Sequence, residues 1–190
     1  MLGQTELGRS AFLEEVREHI GAEAEAVEVG VLTGLYSSQI LRRLSPRILH
    51  LVDPWERQSR REYSDFHTWT QGRWNIARRA CERRLQKFSD RVVFHQAKSI
   101  DIVEEFGDGS LDFVYLDGNH RYSSVLEDLE AWVKKVRRGG ILAGHDFGFS
   151  EEDAAHMHPD VRRAVREFCA SMGYTFFLTR DNNQSYYFEV

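Results

Sequence analysis

Cysteine is scarce in this 190-residue chain. The two present, Cys81 and Cys169, sit far apart in helix-like stretches, which gives neither a disulfide framework nor the paired spacing of a zinc site. Prolines are few as well, at 46, 54 and 159. No repeat, low-complexity tract or linker divides the chain. No apolar run approaches the roughly 20 residues needed to cross a bilayer, and Met1 to Ser10 lacks the basic-then-apolar layout of a secretion signal. The expectation is one cytoplasmic domain over residues 1–190 with no membrane partner. A net charge of −5 speaks against generic nucleic-acid binding. About half of the 25 basic residues nevertheless fall between Arg42 and Arg91, which suits either a solvated helix surface or a docking face for an acidic substrate.

What the chain does have is alternation. Short apolar runs follow amphipathic stretches, the pattern of a parallel sheet with helices on both faces. Phe12, Leu13, Val16 and Ile20 share one helical face, with Ser10 as candidate N-cap. Strands are expected at Ala26–Gly30, Arg47–Asp53, Val92–Gln96, Leu111–Asp117 and Ile141–Gly144. Helices are expected over Tyr36–Leu44, from about Trp74 to Phe88, and from Tyr122 to Val136, the last with the best apolar period in the sequence. The turn Arg138-Gly139-Gly140 is expected to end it. A further helix starts at Pro159, well placed at a first helical position, and stops at Gly173. Tyr174–Thr179 and Ser185–Val190 flank Asp181-Asn182-Asn183, which reads as the turn of a closing hairpin. That hairpin departs from a plain dinucleotide-binding fold.

The first strand runs into a turn, Glu28-Val29-Gly30-Val31-Leu32-Thr33-Gly34, whose glycines allow a sharp bend and a close approach to a ligand. Asp53 closes the second strand, where a carboxylate can accept both hydroxyl hydrogens of a ribose. Glu28 separates the candidate nucleotides. A phosphate-binding loop offers bare N–H groups to an anion, whereas a carboxylate before the turn suits a cationic ligand such as a sulfonium. The turn also lacks both the P-loop Gly-Lys-Ser/Thr and a full G-x-G-x-x-G.

The segments VEVGVLTGLYSSQIL, LHLVDPW, LDFVYLDGNHRYSSVLEDLEAW and GGILAGHDF resemble methyltransferase family 24. These are small class I S-adenosylmethionine-dependent enzymes related to the macrocin-type O-methyltransferases. The resemblance runs from about Val27 to Phe149. It implies a Rossmann-like doubly wound α/β sheet of seven strands in the order 3-2-1-4-5-7-6, with strand 7 antiparallel. It also implies S-adenosyl-L-methionine as cofactor. Glu28, Gly30, Gly34 and Ser38 would serve its methionine end, Asp53 the ribose, Gln96 and Ala97 the adenine, and Asp117 the reacting end. Gln96 departs from the acidic residue the family often has there.

In that sheet order the fourth and fifth strands are neighbours. Asp117, His120, His145 and Asp146 would then converge at their carboxyl ends, where ligands of open α/β sheets bind. Two roles stay open. His120 or His145 could remove the proton of an acceptor hydroxyl, with Asp117 beside them. Alternatively Asp117, His145 and Asp146 hold a divalent cation that lowers the acceptor's pKa. Macrocin-type relatives use a metal, with paired aspartates after the fifth strand. The pair here is His145-Asp146, which widens the choice from Mg²⁺ to Mn²⁺, Fe²⁺ or Zn²⁺. His156 and His158 resemble a ligand pair but equally suit a solvated loop. Trp55, Tyr63, Phe66, Trp69 and Trp74 are read either as a lid over the cleft or as packing of an extra helix. The resulting expectation is O-methylation of a small hydroxylated molecule, a sugar or a secondary metabolite, with that molecule as partner and a homo-oligomer left open. A nucleotide-dependent oxidoreductase and a non-catalytic module on the same fold are the competing readings. Glu28 and the hairpin argue against the first, and the presence of Asp117 and His145 against the second.

Overall fold

The computed structural model describes residues 2–59, 63, 66, 68–148 and 159–190. The elements run α1 (Arg9–Ile20), β1 (Glu25–Val29), α2 (Leu35–Gln39), β2 (Ile48–Val52), α3 (Gln71–Leu85), β3 (Val92–His95), α4 (Ser99–Ile102), β4 (Leu111–Leu116), α5 (Tyr122–Lys135), β5 (Val136–Gly148), α6 (Pro159–Met172), β6 (Phe177–Leu178) and β7 (Gln184–Glu189). One sheet takes the order β3-β2-β1-β4-β5-β7-β6. Strands β1 to β5 pair in parallel, and β7 is antiparallel to β5 and β6. Successive strands therefore run outward from β1 in one direction and from β4 in the other. This reversal opens a crevice above the carboxyl ends of β1 and β4.

Alternation along each central strand feeds two cores. Val27 and Val29 face a cluster with Val103, Leu129, Trp132 and Phe168 from the later helices. Ala26 faces the opposite cluster, with Leu13, Ile40, Leu41 and Cys81. Both cysteines are buried and free. Among the described residues, no helix is long and apolar enough to cross a membrane.

Several boundaries move. The first helix is preceded by Gly8 rather than capped by Ser10. The second helix finishes as a π-helical turn, Ile40–Leu44. The fifth strand begins earlier than expected, at Val136, but Arg138-Gly139-Gly140 still turns within it: Gly139 has φ of +75° and the pairing with β4 steps from Val136 opposite Leu111 to Ile141 opposite Phe113, while the Gly139 N–H donates to the Val190 carbonyl and the Val190 N–H to the Gly140 carbonyl. The expected turn is thus kept as a bulge that the C-terminal strand clasps.

Candidate functional site

The turn after β1 is held from below by Asp53. Its Oδ2 accepts the backbone N–H groups of Val31 at 3.0 Å and Leu32 at 2.9 Å, and its Oδ1 that of Trp55 at 2.7 Å. Burial raises the Asp53 pKa, against the pull of those N–H groups. Three of a carboxylate's roughly four acceptor sites are then occupied, so about one remains for a ligand. Trp55 belongs to this device and not to a lid. It is buried, and its indole N–H donates to the Leu32 carbonyl at 2.8 Å. Gly30 is obligatory. It has φ of +83°, and a Cβ there would run into the Asp117 carbonyl. Gly34 begins α2 and is covered by Cys81.

The turn offers little to an anion. The N–H of Gly30 bonds the Val52 carbonyl and that of Gly34 the Val31 carbonyl, both at 2.9 Å. With Val31 and Leu32 committed to Asp53, four of its N–H groups point inward. A phosphate loop needs them pointing at the ligand.

Glu28 is not at the mouth of the cleft. It is 1% exposed and lies on the face of β1 covered by α1 and α2, where Ser37 donates to its Oε2. Burial pushes its pKa up to about 8, with the Ser37 hydrogen bond opposing and the Asp117 charge adding. The expected electrostatic guard is therefore corrected: strand alternation turns this side chain under the cleft and burial favours its neutral form. Ser38 is also turned away, its hydroxyl donating to the Leu35 carbonyl at 2.8 Å.

Two cavities meet above the sheet. The first is lined by Gly30, Asp53, Pro54, Ser99, Asn119 and Asp128, among others. Gln96 and Ala97 do not reach it; the loop contributes Lys98, Ser99 and Ile100 instead. Gln96 is exposed, its amide N–H donating to the Pro54 carbonyl at 3.2 Å and its Oε1 accepting from Arg78, and Ala97 packs on the core. The second cavity, of about 390 Å³, is lined by Leu32, Phe66, Asp117, His120 and Asp146. Gly30, Asp53, Tyr63, Trp74 and Gly118 line both. Of the expected lid, Tyr63, Phe66 and Trp74 do face the cleft, and Trp69 supports them, 5.1 Å from Trp74 between ring centres. Trp74 is 5% exposed, and its indole N–H has no hydrogen-bond partner among the described residues.

The polar end of the second cavity is the meeting of β4 and β5. His120 Nε2 lies 3.0 Å from Asp146 Oδ2 and 3.6 Å from Asp117 Oδ1. One ligand atom from each of these three residues falls within 4.8 Å of the others. His145 is not part of that set. Its Nδ1 nevertheless borders the set, 3.3 Å from Asp146 Oδ1 and 3.8 Å from Asp117 Oδ1, and its ring lines a smaller pocket that His120 also lines. Asp117 and Asp146 come together as expected; the third member of the tight set is His120, with the expected His145 beside it. The cause is local. Asp146 has a left-handed φ of +56° and pairing with β7 breaks between Gly144 and Gly148, so strict strand alternation lapses here and the side chains of His145 and Asp146 touch. A non-glycine residue held there stores strain of the kind that clusters at functional sites. Burial works against ionisation of Asp146, yet hydrogen bonds from His120 and His145 hold it well below the usual carboxylate range. Two carboxylates and one imidazole form a donor set that fits a divalent cation such as Mn²⁺, Fe²⁺ or Mg²⁺.

Sequence reasoning missed three residues here. Ser37 carries no motif. Asn183 reaches back from the closing hairpin to Asp146. Asp128 had a usable signal, a carboxylate inside the apolar stripe Val125, Leu129, Trp132. Asn119, not Asp117, braces the turn before α5, its Oδ1 accepting the Arg121 N–H at 3.3 Å. His156 and His158 lie outside the described residues.

The family model for a methyltransferase domain, methyltransferase family 24, matches residues 27–147. No curated protein sequence matches the chain. Solved structures sharing the fold include the O-methyltransferase TomG of Streptomyces achromogenes, involved in tomaymycin synthesis and solved in complex with SAM. It has a TM-score of 0.64 and 16% identity, over 96% of this chain and 79% of that one. Precorrin 8w decarboxylase of Methanobacterium thermoautotrophicum has a TM-score of 0.64 and 16% identity, over 100% and 92% of the two chains. Spermidine synthase of Thermotoga maritima has a TM-score of 0.61 and 15% identity, over 96% and 60%. These three carry different activity names, so the likeness speaks for the fold and not for a reaction.

Proposed function

Because this chain belongs to methyltransferase family 24, we propose that it moves the methyl group of S-adenosylmethionine to a hydroxyl of a small molecule, with a divalent cation held by Asp117, His120 and Asp146. The observation that carries this reading is the junction of the two cavities at Gly30, Asp53, Tyr63, Trp74 and Gly118. A cofactor in the first cavity would present its methyl to an acceptor in the second. The second volume falls within the roughly 300–1,000 Å³ of small-molecule sites. The inward-turned N–H groups after β1 support a cofactor without a diphosphate.

In the reaction the acceptor oxygen attacks the methyl carbon in line, the carbon–sulfur bond breaks, and S-adenosylhomocysteine leaves. Alignment of the two cavities supplies much of the rate. A bound cation would lower the pKa of the acceptor hydroxyl, whose proton would then pass to water. The aromatic wall of Tyr63, Phe66 and Trp74 keeps water from the junction. A second reading is favoured by the 3.0 Å contact of His120 with Asp146: the imidazole, oriented by that carboxylate, takes the acceptor's proton itself.

The test is calorimetry with S-adenosylmethionine, S-adenosylhomocysteine and NADH, followed by transfer of radiolabelled methyl to a panel of small polyols and phenols, with and without chelator. Activity lost to chelator and restored by Mg²⁺ or Mn²⁺ supports the cation. Activity indifferent to chelator supports His120 as base. Affinity for NADH and none for the sulfonium nucleotide or its product would sink both.

A further inference from the structure

We propose that Asp128 reads the adenine of the cofactor, its Oδ2 accepting a hydrogen bond from the exocyclic 6-amino group. The inference rests on the reading that the first cavity holds S-adenosylmethionine. It names the group that selects the base.

Asp128 projects from the apolar face of α5 and is 8% exposed, yet it lines the first cavity. Burying a carboxylate is costly unless its oxygens find partners. One does. Ser99 donates to Oδ1 at 2.5 Å, while the same hydroxyl accepts the indole N–H of Trp132 at 2.7 Å. Because an indole N–H only donates, the Ser99 hydrogen must point at Asp128, and this fixes the carboxylate's orientation. The other oxygen, Oδ2, has no hydrogen-bond partner among the described residues. It faces the exit of β4, where a Cβ placed on Gly118 would lie 3.8 Å from it. Gly118 lines the cavity too.

Elimination points the same way. Four carboxylates line this cavity among the described residues: Asp53, Glu56, Glu127 and Asp128. Glu56 and Glu127 are exposed. Asp53 spends three acceptor sites on the turn. The side chain after β3, Gln96, is engaged by Pro54 and Arg78 outside the cavity. Asp128 alone is buried, oriented and open on one oxygen. Ile100, Val52 and Pro54 supply apolar wall for the faces of a purine beside it. An amino group on the base would complete the carboxylate. A 6-oxo group would set lone pairs against it.

The experiment compares S-adenosylhomocysteine with S-inosylhomocysteine, in which an oxo group replaces that amino group and N1 carries a hydrogen, in calorimetry at about pH 8, where the carboxyl, raised to about 7 by burial, is ionised. Wild type should prefer the amino ligand by on the order of 10- to 100-fold. Asp128→Asn keeps an acceptor for Ser99 and can donate to a 6-oxo group, so the preference should shrink to within about threefold or reverse. An unchanged preference in Asp128→Asn overturns the inference. So does a wild type that binds both ligands equally, an arm that needs no variant to fold. A wild type that binds neither ligand fails the parent reading instead.

Discussion

The side-chain amide of Asn183 donates to Oδ1 of Asp146 at 2.5 Å. The hydrogen bond spans the sheet from the turn between β6 and β7 to the bulged end of β5, and it leaves Asp146 Oδ2 to His120. Asn183 thus positions Asp146, one of the three residues proposed to hold a cation, without belonging to that set. Groups that orient metal ligands typically matter by 10- to 100-fold in affinity or activity. Asn183→Ala should weaken Mn²⁺ or Mg²⁺ affinity by about that factor, with the binding of S-adenosylhomocysteine changed less than threefold. Titration of the apoprotein with metal, with and without the nucleotide, reads both. A variant with undiminished metal affinity would reduce the contact to a hairpin clasp.

Trp74 offers a cleaner separation of stability from binding. Its indole N–H is buried at the border of both cavities and has no partner among the described residues. No hydrogen bond among the described residues is lost when it goes, so Trp74→Phe should shift stability mainly through packing, by about 1–2 kcal/mol. If a ligand takes that N–H, the variant's KM for the acceptor, or its Kd for the cofactor, should rise about five- to tenfold. Thermal unfolding and steady-state kinetics together decide it. A stable variant with both constants unchanged would show that the N–H is simply tolerated.

Much of this architecture can be read from order along the chain, because apolar period and turn residues are local properties. The alternation of elements, the parallel strands, the closing hairpin and the Gly30 turn are of that kind. What the sequence hides depends on which way a side chain leaves its strand. Glu28 is correctly located at the exit of β1, but the pleat sends it beneath the cleft to Ser37. His145 and Asp146 are correctly located at the end of β5, but that His120 as well as His145 gathers on Asp117 and Asp146 depends on the left-handed backbone at Asp146 and on loop geometry. Asn183 and Asp128 belong to the site only through contacts made across 37 and 29 residues of chain, which no local pattern announces. The clasp on the Gly139-Gly140 bulge of β5 is also non-local, since its hydrogen bonds come from Val190 at the far end of the chain.

Gly30 carries both a backbone and a packing demand. Its φ of +83° disfavours any side chain, and a Cβ would meet the Asp117 carbonyl. The obstacle is backbone, which cannot rotate away as a side-chain tip could. Gly30→Ala should therefore cost more than the roughly 1–2 kcal/mol of a left-handed conformation alone, and it should push the end of β4 away from the junction of the cavities. Urea unfolding should register the loss, and nucleotide affinity should fall with it. A variant of wild-type stability would mean that β4 yields at its exit.

Glu28 sets a pH dependence whose sign is fixed. Its pKa rises from 4.5 in the unfolded chain to about 8 in the folded one, chiefly through burial. The folded protein then holds a proton that the unfolded chain releases, so stability falls as pH climbs from about 4.5 to about 8 and levels off beyond. Asp128 and Asp53 are raised in the same direction and contribute to the same slope. They are retained in Glu28→Gln, so the informative quantity is the difference between wild type and variant. Because the amide never ionises, that difference should move in the variant's favour with rising pH, by at most about 1.4 kcal/mol per unit, and stop moving above pH 8. Urea unfolding of both proteins at intervals across that range measures it. Parallel stability curves would mean that Glu28 ionises inside the fold after all, with the charge of the Arg9 guanidinium, which favours its ionised form, in place of the proton.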